Sequence, residues 1–166
     1  MVGEHHLGSA GVFLSSGFTR LMYVSKASWP MSAGELEDLL TGARFRNRRH
    51  GVTGVLLYES GHFAQVLEGP TAVVERLMKN IAKDGRHREF QIISRSEVEG
   101  RYFVGWDMDW RELANYTDAG HQELRRLLQE RSIGDRDVVY AALSTFLTEL
   151  AKTAMPDAPP RKRWFW

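Results

Sequence analysis

Apolar positions across residues 20–110 follow two periods, one typical of strands and the other typical of helices. Short apolar runs rich in β-branched and aromatic residues predict strands, because every second side chain of a strand lies on the same face. The run at 52–58 is apolar almost throughout, which is typical of a strand buried on both faces. The five predicted strands are residues 21–25, 52–58, 63–67, 90–97 and 102–108.

Two helices are predicted between these strands. Ser32 and Glu35 have the spacing of a capping box, in which a hydroxyl and a carboxylate satisfy free amides at the start of a helix. Apolar residues at helical spacing follow in both segments. They are Leu36, Leu39, Leu40 and Ala43 in the first helix, and Val74, Leu77, Met78 and Ile81 in the second. The resulting order, β-α-β-β-α-β-β, predicts a ferredoxin-like α+β sheet with two helices on one face.

Beyond residue 112 the pattern becomes helical. Residues 136–151 present a wide apolar face, and 121–131 is a shorter helical candidate. Because two helices cover only one face of a ferredoxin-like sheet, we expect these C-terminal helices to cap the other face or to bind a partner. The chain is thereby divided into a leader at 1–18, a sheet domain at 19–112, a helical cap or output segment at 113–152 and a tail at 153–166.

Composition excludes several classes of protein. Lys and Arg number 22 and Asp and Glu 21, so the net charge of +1 gives no general argument for binding nucleic acid. Cysteine is absent, which excludes disulfides, thiolate metal sites and photochemistry that uses a protein thiol. The six histidines show no metal-ligand spacing, and we expect no metal site. No apolar run approaches the ~20 residues of a membrane span, so we expect a cytoplasmic protein.

Three polar features within this pattern could carry chemistry. Gln65 lies between two large apolar neighbours on one strand face, so its amide is either a structural group bonded to the backbone or a group aimed at a ligand. Tyr23, on the face of the first predicted strand, is by itself most simply a core residue whose hydroxyl is bonded to a partner. The basic run at 44–50 suits a helix C-terminus, but Asn47 within it also has a donor and an acceptor that fit the polar edge of a heterocycle.

Taken together, these residues resemble a BLUF domain, the blue-light sensor that uses flavin. A strand tyrosine, an asparagine six residues before Thr-Gly, and a glutamine three residues before Glu-Gly form a specific combination, in the order and at the spacing of the family. Arg46 departs from the asparagine that often precedes the family's key asparagine. The matching stretches are 23–25 (YVS), 47–54 (NRRHGVTG), 63–69 (FAQVLEG), 84–87 (DGRH) and 101–108 (RYFVGWDM).

The resemblance implies a cofactor and roles for particular residues. The family binds FAD non-covalently between the two helices, and FMN is an alternative. Asn47 corresponds to the residue that grips the polar edge of the ring, while Gln65 bridges the flavin and Tyr23. The remaining implied cofactor contacts are Arg44, Ser25, Arg86 and His87, and the implied signal relay is Trp106 and Met108 on the last predicted strand.

The implied function is that of a blue-light photoreceptor. Excited flavin would take an electron and a proton from Tyr23, and Gln65 would carry the change in hydrogen bonding. We recognise no cyclase or phosphodiesterase module, so we expect no enzymatic activity. We expect a sensor that signals to an unidentified effector protein or through a homo-oligomer, without nucleic acid or a membrane span.

Two other functions compete on the residues alone. A small ferredoxin-like hydrolase could hold phosphate and water with Arg44 and Asn47, but no Gly-rich phosphate loop lies beside them. A nucleic-acid module could use strand aromatics and the basic run at 44–50. The near-neutral charge and the apolar residues on both sheet faces argue against that module.

Overall fold

A computed structural model describes residues 17–111, 119–129 and 135–154, and side chains up to residue 150. Most of the predicted leader and tail lies outside these ranges. The order expected of a ferredoxin-like α+β fold is confirmed. The elements are β1 (Phe18–Ala27), α1 (Ala33–His50), β2 (Thr53–Glu59), β3 (His62–Pro70), α2 (Thr71–Ala82), β4 (His87–Val98), β5 (Asp109–Arg111), α3 (Ala119–Gln129) and α4 (Arg136–Ala154).

The five strands form one sheet in the order β4-β1-β3-β2-β5. Pairing is antiparallel except between β2 and β5, which are parallel. The central strand β3 is buried along its whole length up to Pro70. Because side chains alternate along a strand, each residue of β3 projects into one of two separate interiors.

Helix α1 begins at the capping box that the sequence predicts. The backbone N–H of Glu35 donates to Ser32 Oγ at 3.3 Å, and the Glu35 carboxylate accepts from the Ser32 N–H at 2.8 Å. Gly51 adopts a left-handed φ of 65° at the C-cap, which glycine reaches without steric cost. The end of the helix at His50 places Asn47 in the last turn of α1, where it is buried.

The fifth strand is shorter and later than the sequence predicts. The expectation of a strand over 102–108 is wrong, since these residues form an irregular loop. Gly105 has a φ of 95°, and the N–H of Trp106 donates to the Phe103 carbonyl at 3.1 Å in a turn. The aromatic side chains that suggested a strand instead pack on each other, with ring centroids 5.6 Å apart. Strand pairing resumes only at Asp109.

The sheet separates two apolar cores. The front core lies under α1 and α2, and the back core lies under α3 and α4, which confirms the expected helical cap. The front core consists of Leu21, Tyr23, Ala27, Leu36, Leu40, Val52, Leu56, Phe63, Leu67, Val74 and Met108. The back core contains Met22, Val24, Val55, Leu57, Ala64, Val66, Ile93 and Phe103 below the apolar faces of α3 and α4.

A buried carboxylate joins the central strand to the loop at 101–108. Glu68 of β3 is fully buried. Its carboxylate accepts hydrogen bonds from Arg20 Nε at 2.6 Å and from the backbone N–H of Phe103 at 3.0 Å. A buried charge of this kind is tolerated because it is both paired and hydrogen bonded.

Replacing Glu68 by alanine should therefore lower the free energy of unfolding by about 3–5 kcal/mol, because the Arg20 charge and the Phe103 amide lose their partner. Urea denaturation followed by circular dichroism measures the loss. Glu75→Ala is the matched control, since Glu75 forms a solvent-exposed pair with Arg95 and should cost less than ~1 kcal/mol. Equal losses in the two variants would contradict the assigned role of Glu68.

Candidate functional site

A cavity of about 430 Å³ lies between α1 and α2 on the front face of the sheet. Its volume is in the range of small-molecule sites. The floor consists of strand residues, namely Tyr23, Leu56, Phe63, Gln65 and Leu67. Apolar helix residues line the walls, namely Leu39 and Ala43 from α1 and Val73, Leu77 and Ile81 from α2.

The two predicted photochemical residues are hydrogen bonded to each other on this floor. Tyr23 and Gln65 are opposite one another on the neighbouring strands β1 and β3. The Tyr23 hydroxyl donates to Gln65 Oε1, and Gln65 Nε2 donates to the Met108 sulfur at 3.0 Å. Burial raises the pKa of the Tyr23 phenol far above its usual value, and the nearby Asp84 carboxylate acts in the same direction. The phenol is therefore a permanent hydrogen-bond donor at ordinary pH.

Asn47 also lines the cavity, at its α1 side. Its Nδ2 donates to the backbone carbonyl of Asp107 at 2.8 Å. Its Oδ1 has no hydrogen-bond partner among the described residues, so the amide can still accept a hydrogen bond from a ligand. One side chain thus connects the cavity with the loop at 101–108.

The far end of the cavity carries a charged pair and a histidine. The Arg86 guanidinium donates to Asp84 and lowers the pKa of that carboxyl to about 2, so the two charges neutralise each other. His87 Nδ1 is hydrogen bonded to Ser25 Oγ at 2.8 Å. Burial lowers the pKa of His87, so this ring is neutral at pH 7.

The predicted site residues therefore fall into two groups. Those that line the cavity are Tyr23, Asn47, Gln65, Arg86 and His87. Ser25 does not line the cavity, but its Oγ is hydrogen bonded to His87 Nδ1. Arg44 is not among the lining residues; it donates from Nε to the Met108 carbonyl at 2.9 Å and pairs with Glu37. Of the expected relay pair, Met108 belongs to the front core and contacts Gln65, whereas Trp106 packs against the back core.

Five polar lining residues were not predicted as cofactor contacts, and one of them is Asp84. Arg46 and His50 on α1 are spaced i and i+4, as are Arg76 and Asn80 on α2. Each pair continues an apolar stripe, since Leu39, Ala43, Arg46 and His50 share one side of α1. Polar residues that continue an apolar stripe were the available signal for these cavity contacts. The signal is weak, because polar residues near a helix end are usually solvated.

The arrangement fits the ring of a flavin. Apolar walls suit the flat faces of an aromatic ring system, while amides and a phenol at the floor suit its polar edge. Among the described residues, no group of three or more His, Cys, Asp or Glu could hold a metal ion. No helix in the described ranges has the length and apolar character needed to cross a bilayer.

Comparison with known proteins agrees with this geometry. Residues 18–109 match the family model described as "BLUF: Sensors of blue-light using FAD". The chain therefore belongs to the BLUF family of FAD-using blue-light sensors.

The curated relatives are larger signalling proteins. The photoactivated adenylate cyclase subunit beta of Euglena longa is 35% identical over 94 residues, which is 56% of this chain and 11% of that protein. The blue light- and temperature-regulated antirepressor BluF of Escherichia coli (strain K12) is 36% identical over 69 residues, 42% of this chain and 17% of that protein. The chain thus spans only a small part of each of these relatives.

Solved BLUF structures cover more of the fold. BlrB, a BLUF protein in its dark state, has a TM-score of 0.66 and 25% identity, covering 83% of this chain and 98% of its own. The photo-activated state of BlsA has a TM-score of 0.64 and 27% identity, covering 86% and 99%. The shared fold supports flavin binding in the cavity between α1 and α2.

Proposed function

We propose that Tyr23 and Gln65 convert the excitation of bound FAD into a changed hydrogen-bond pattern, which this chain passes to a separate effector protein. FAD supplies a chromophore that absorbs blue light and becomes a strong oxidant when excited. The observation that carries the proposal is the hydrogen bond from the Tyr23 hydroxyl to Gln65 Oε1 on the floor of the cavity.

Tyr23 is suited to release an electron together with its proton. Its raised pKa keeps the phenol protonated before excitation. A phenol that has lost an electron is a strong acid, so the hydroxyl proton moves with the electron. Gln65 Oε1 already accepts the hydrogen bond from that hydroxyl. Gln65 therefore provides the proton's immediate route.

The Gln65 amide can change state at low cost. Its nitrogen donates to the Met108 sulfur, which is a weak acceptor. A reoriented or tautomeric amide would exchange one set of partners for another, and such a swap is worth roughly 0.5–1.5 kcal/mol. A free energy of that size changes a two-state population severalfold but does not drive an all-or-none switch unaided. The output therefore needs a structural element with two arrangements.

The loop at 101–108 is our candidate for that element. Three side chains on one face of α1 hold its end: Arg44 donates to the Met108 carbonyl at 2.9 Å, Asn47 to the Asp107 carbonyl at 2.8 Å, and Arg48 to Asp107 Oδ2 at 2.8 Å. Met108 in turn contacts Gln65. A change at the amide of Gln65 would thus reach the loop directly through Met108.

The same loop also contributes to the core beneath the C-terminal helices. Phe103 belongs to the back core with α3 and α4, and Trp106 packs against it. A separate hydrogen bond joins α3 to the sheet, because Arg125 Nε of α3 donates to the buried Glu59 of β2 at 3.3 Å. We propose that Trp106 and Met108 relay the signal from the cavity to these helices.

The effector is proposed by analogy with the relatives. Their names describe photoactivated cyclases and a light-regulated antirepressor, in which light controls a signalling activity. We propose that this chain contributes sensing rather than catalysis, and acts on another protein or through an oligomer of itself.

Illumination should produce a slight, reversible red shift of the bound flavin and should change amide hydrogen exchange in residues 101–111 and 136–150. Difference absorbance and exchange mass spectrometry on the FAD-loaded chain measure the two effects. Arg44→Gln should keep the red shift, because Arg44 lies outside the cavity lining, but should raise exchange of the loop in the dark. An unchanged exchange pattern in the light would contradict the output route, and an absent red shift would contradict the photochemistry.

A further inference from the structure

Two exposed arginines flank the cavity from opposite helices. Arg46 of α1 and Arg76 of α2 both line it and are both exposed. Neither forms an ion pair with any carboxylate in the described part of the chain. Arg86, by contrast, is neutralised by Asp84. The cavity lining therefore carries two uncompensated positive charges, both on helices.

The backbone positions of these two arginines lie towards the same end of the cavity. The end of α1 approaches the start of α2, because a Cβ placed on Gly69 would lie 3.2 Å from the Gly51 carbonyl oxygen. Arg46 is less than about two turns from the end of α1, and Arg76 less than about two turns from the start of α2. The Arg46 guanidinium folds back along α1, with Nη1 3.2 Å from where a Cβ on Gly42 would be. The absence of a side chain at Gly42 leaves the space that this guanidinium occupies.

We infer that Arg46 and Arg76 bind the diphosphate of FAD from the two sides of the cavity mouth, and that they make the chain prefer FAD to riboflavin. The inference rests on the proposed assignment of Tyr23, Asn47 and Gln65 to the flavin ring. In FAD the ring and the diphosphate are at opposite ends of the ribityl chain. With the ring held by buried groups at the floor, the anionic end is left near the exposed rim.

The chemistry of the two side chains suits this role. A guanidinium presents paired N–H groups in a planar fork, which match two phosphate oxygens at once. Two such forks on facing helices match the two phosphates of the dinucleotide, whereas FMN offers one phosphate and riboflavin none. Because both side chains are exposed, each contact should change affinity by only about threefold to fivefold, and salt should weaken it.

Equilibrium dialysis of the full chain, freed of flavin, against FAD, FMN and riboflavin at low and high salt tests the inference. The variants are Arg46→Gln, Arg76→Gln and the double variant. Arg49→Gln is the matched control, since Arg49 is exposed on the same helix and does not line the cavity. We expect the double variant to bind FAD about tenfold more weakly at low salt and riboflavin as before, with Arg49→Gln unchanged.

The outcomes separate this inference from the flavin site itself. Equal weakening for FAD and riboflavin, or no weakening for either, would overturn the role of the two arginines while leaving the ring site in place. Failure of the unaltered chain to bind any of the three flavins would contradict the proposed function, and the inference with it. A second readout is the ratio of FAD to FMN and riboflavin released from purified protein, which should fall in the double variant and stay constant in Arg49→Gln.

Discussion

Replacing Tyr23 by phenylalanine is expected to leave a yellow protein whose absorption spectrum no longer shifts under blue light. The substitution keeps the ring, which packs with its centroid 4.6 Å from that of Phe90, and removes only the hydroxyl. The cavity therefore keeps its shape and its flavin. The group that releases a proton with its electron is lost, and so is the donor that orients Gln65. Difference absorbance before and after illumination, at matched flavin content, measures the effect.

Tyr58→Phe is the control for that experiment. Tyr58 loses the same hydroxyl, which accepts a hydrogen bond from the Met31 N–H at 2.8 Å, and its ring centroid is only 4.9 Å from that of Phe63 on the cavity floor. This variant should photocycle normally. A Tyr23→Phe protein that also photocycles normally would refute the role of Tyr23.

Gln65→Ala is expected to have an effect of similar size by a different route. The variant should still bind FAD through the apolar walls and Asn47, but it should show no red shift. Without the amide, the Tyr23 hydroxyl has lost its acceptor, and no side chain remains there that can exchange hydrogen bonds with the flavin. Difference absorbance before and after illumination measures whether the red shift is lost.

Gln91→Ala is the control for the loss of an amide from the sheet. Gln91 is half-buried on β4 opposite Val24 and does not line the cavity, so its removal should leave the red shift intact. A full red shift in Gln65→Ala would show that the rearranging group is not Gln65. The whole mechanism proposed for this chain would then need a different amide.

Local patterns predicted the first four strands and both front helices, because their apolar residues recur at the period of the element that buries them. The last strand could not be predicted in the same way. The segment at 102–108 has strand-forming residues, but its aromatic side chains are used in packing against each other and the back core. The parallel pairing of Asp109 with Val55 depends on residues far apart in the chain, which no local period encodes.

The basic run of α1 shows why the site was predicted only in part. Successive residues of a helix point about 100° apart, so neighbouring side chains serve different surroundings. Arg44 and Arg48 face the loop at 101–108, whereas Arg46 faces the cavity. Asn47, which the resemblance assigns to the flavin ring, lines the cavity. The sequence of the basic run alone could not show which arginine lies there with it.

The front and back cores share a sheet but no side chain. Substitutions under α3 and α4 need not disturb the groups that surround the flavin, provided that they keep the loop at 101–108, which contributes Met108 to the front core and Phe103 to the back core. Such a division gives evolution a sensing unit whose reverse side is free to diverge.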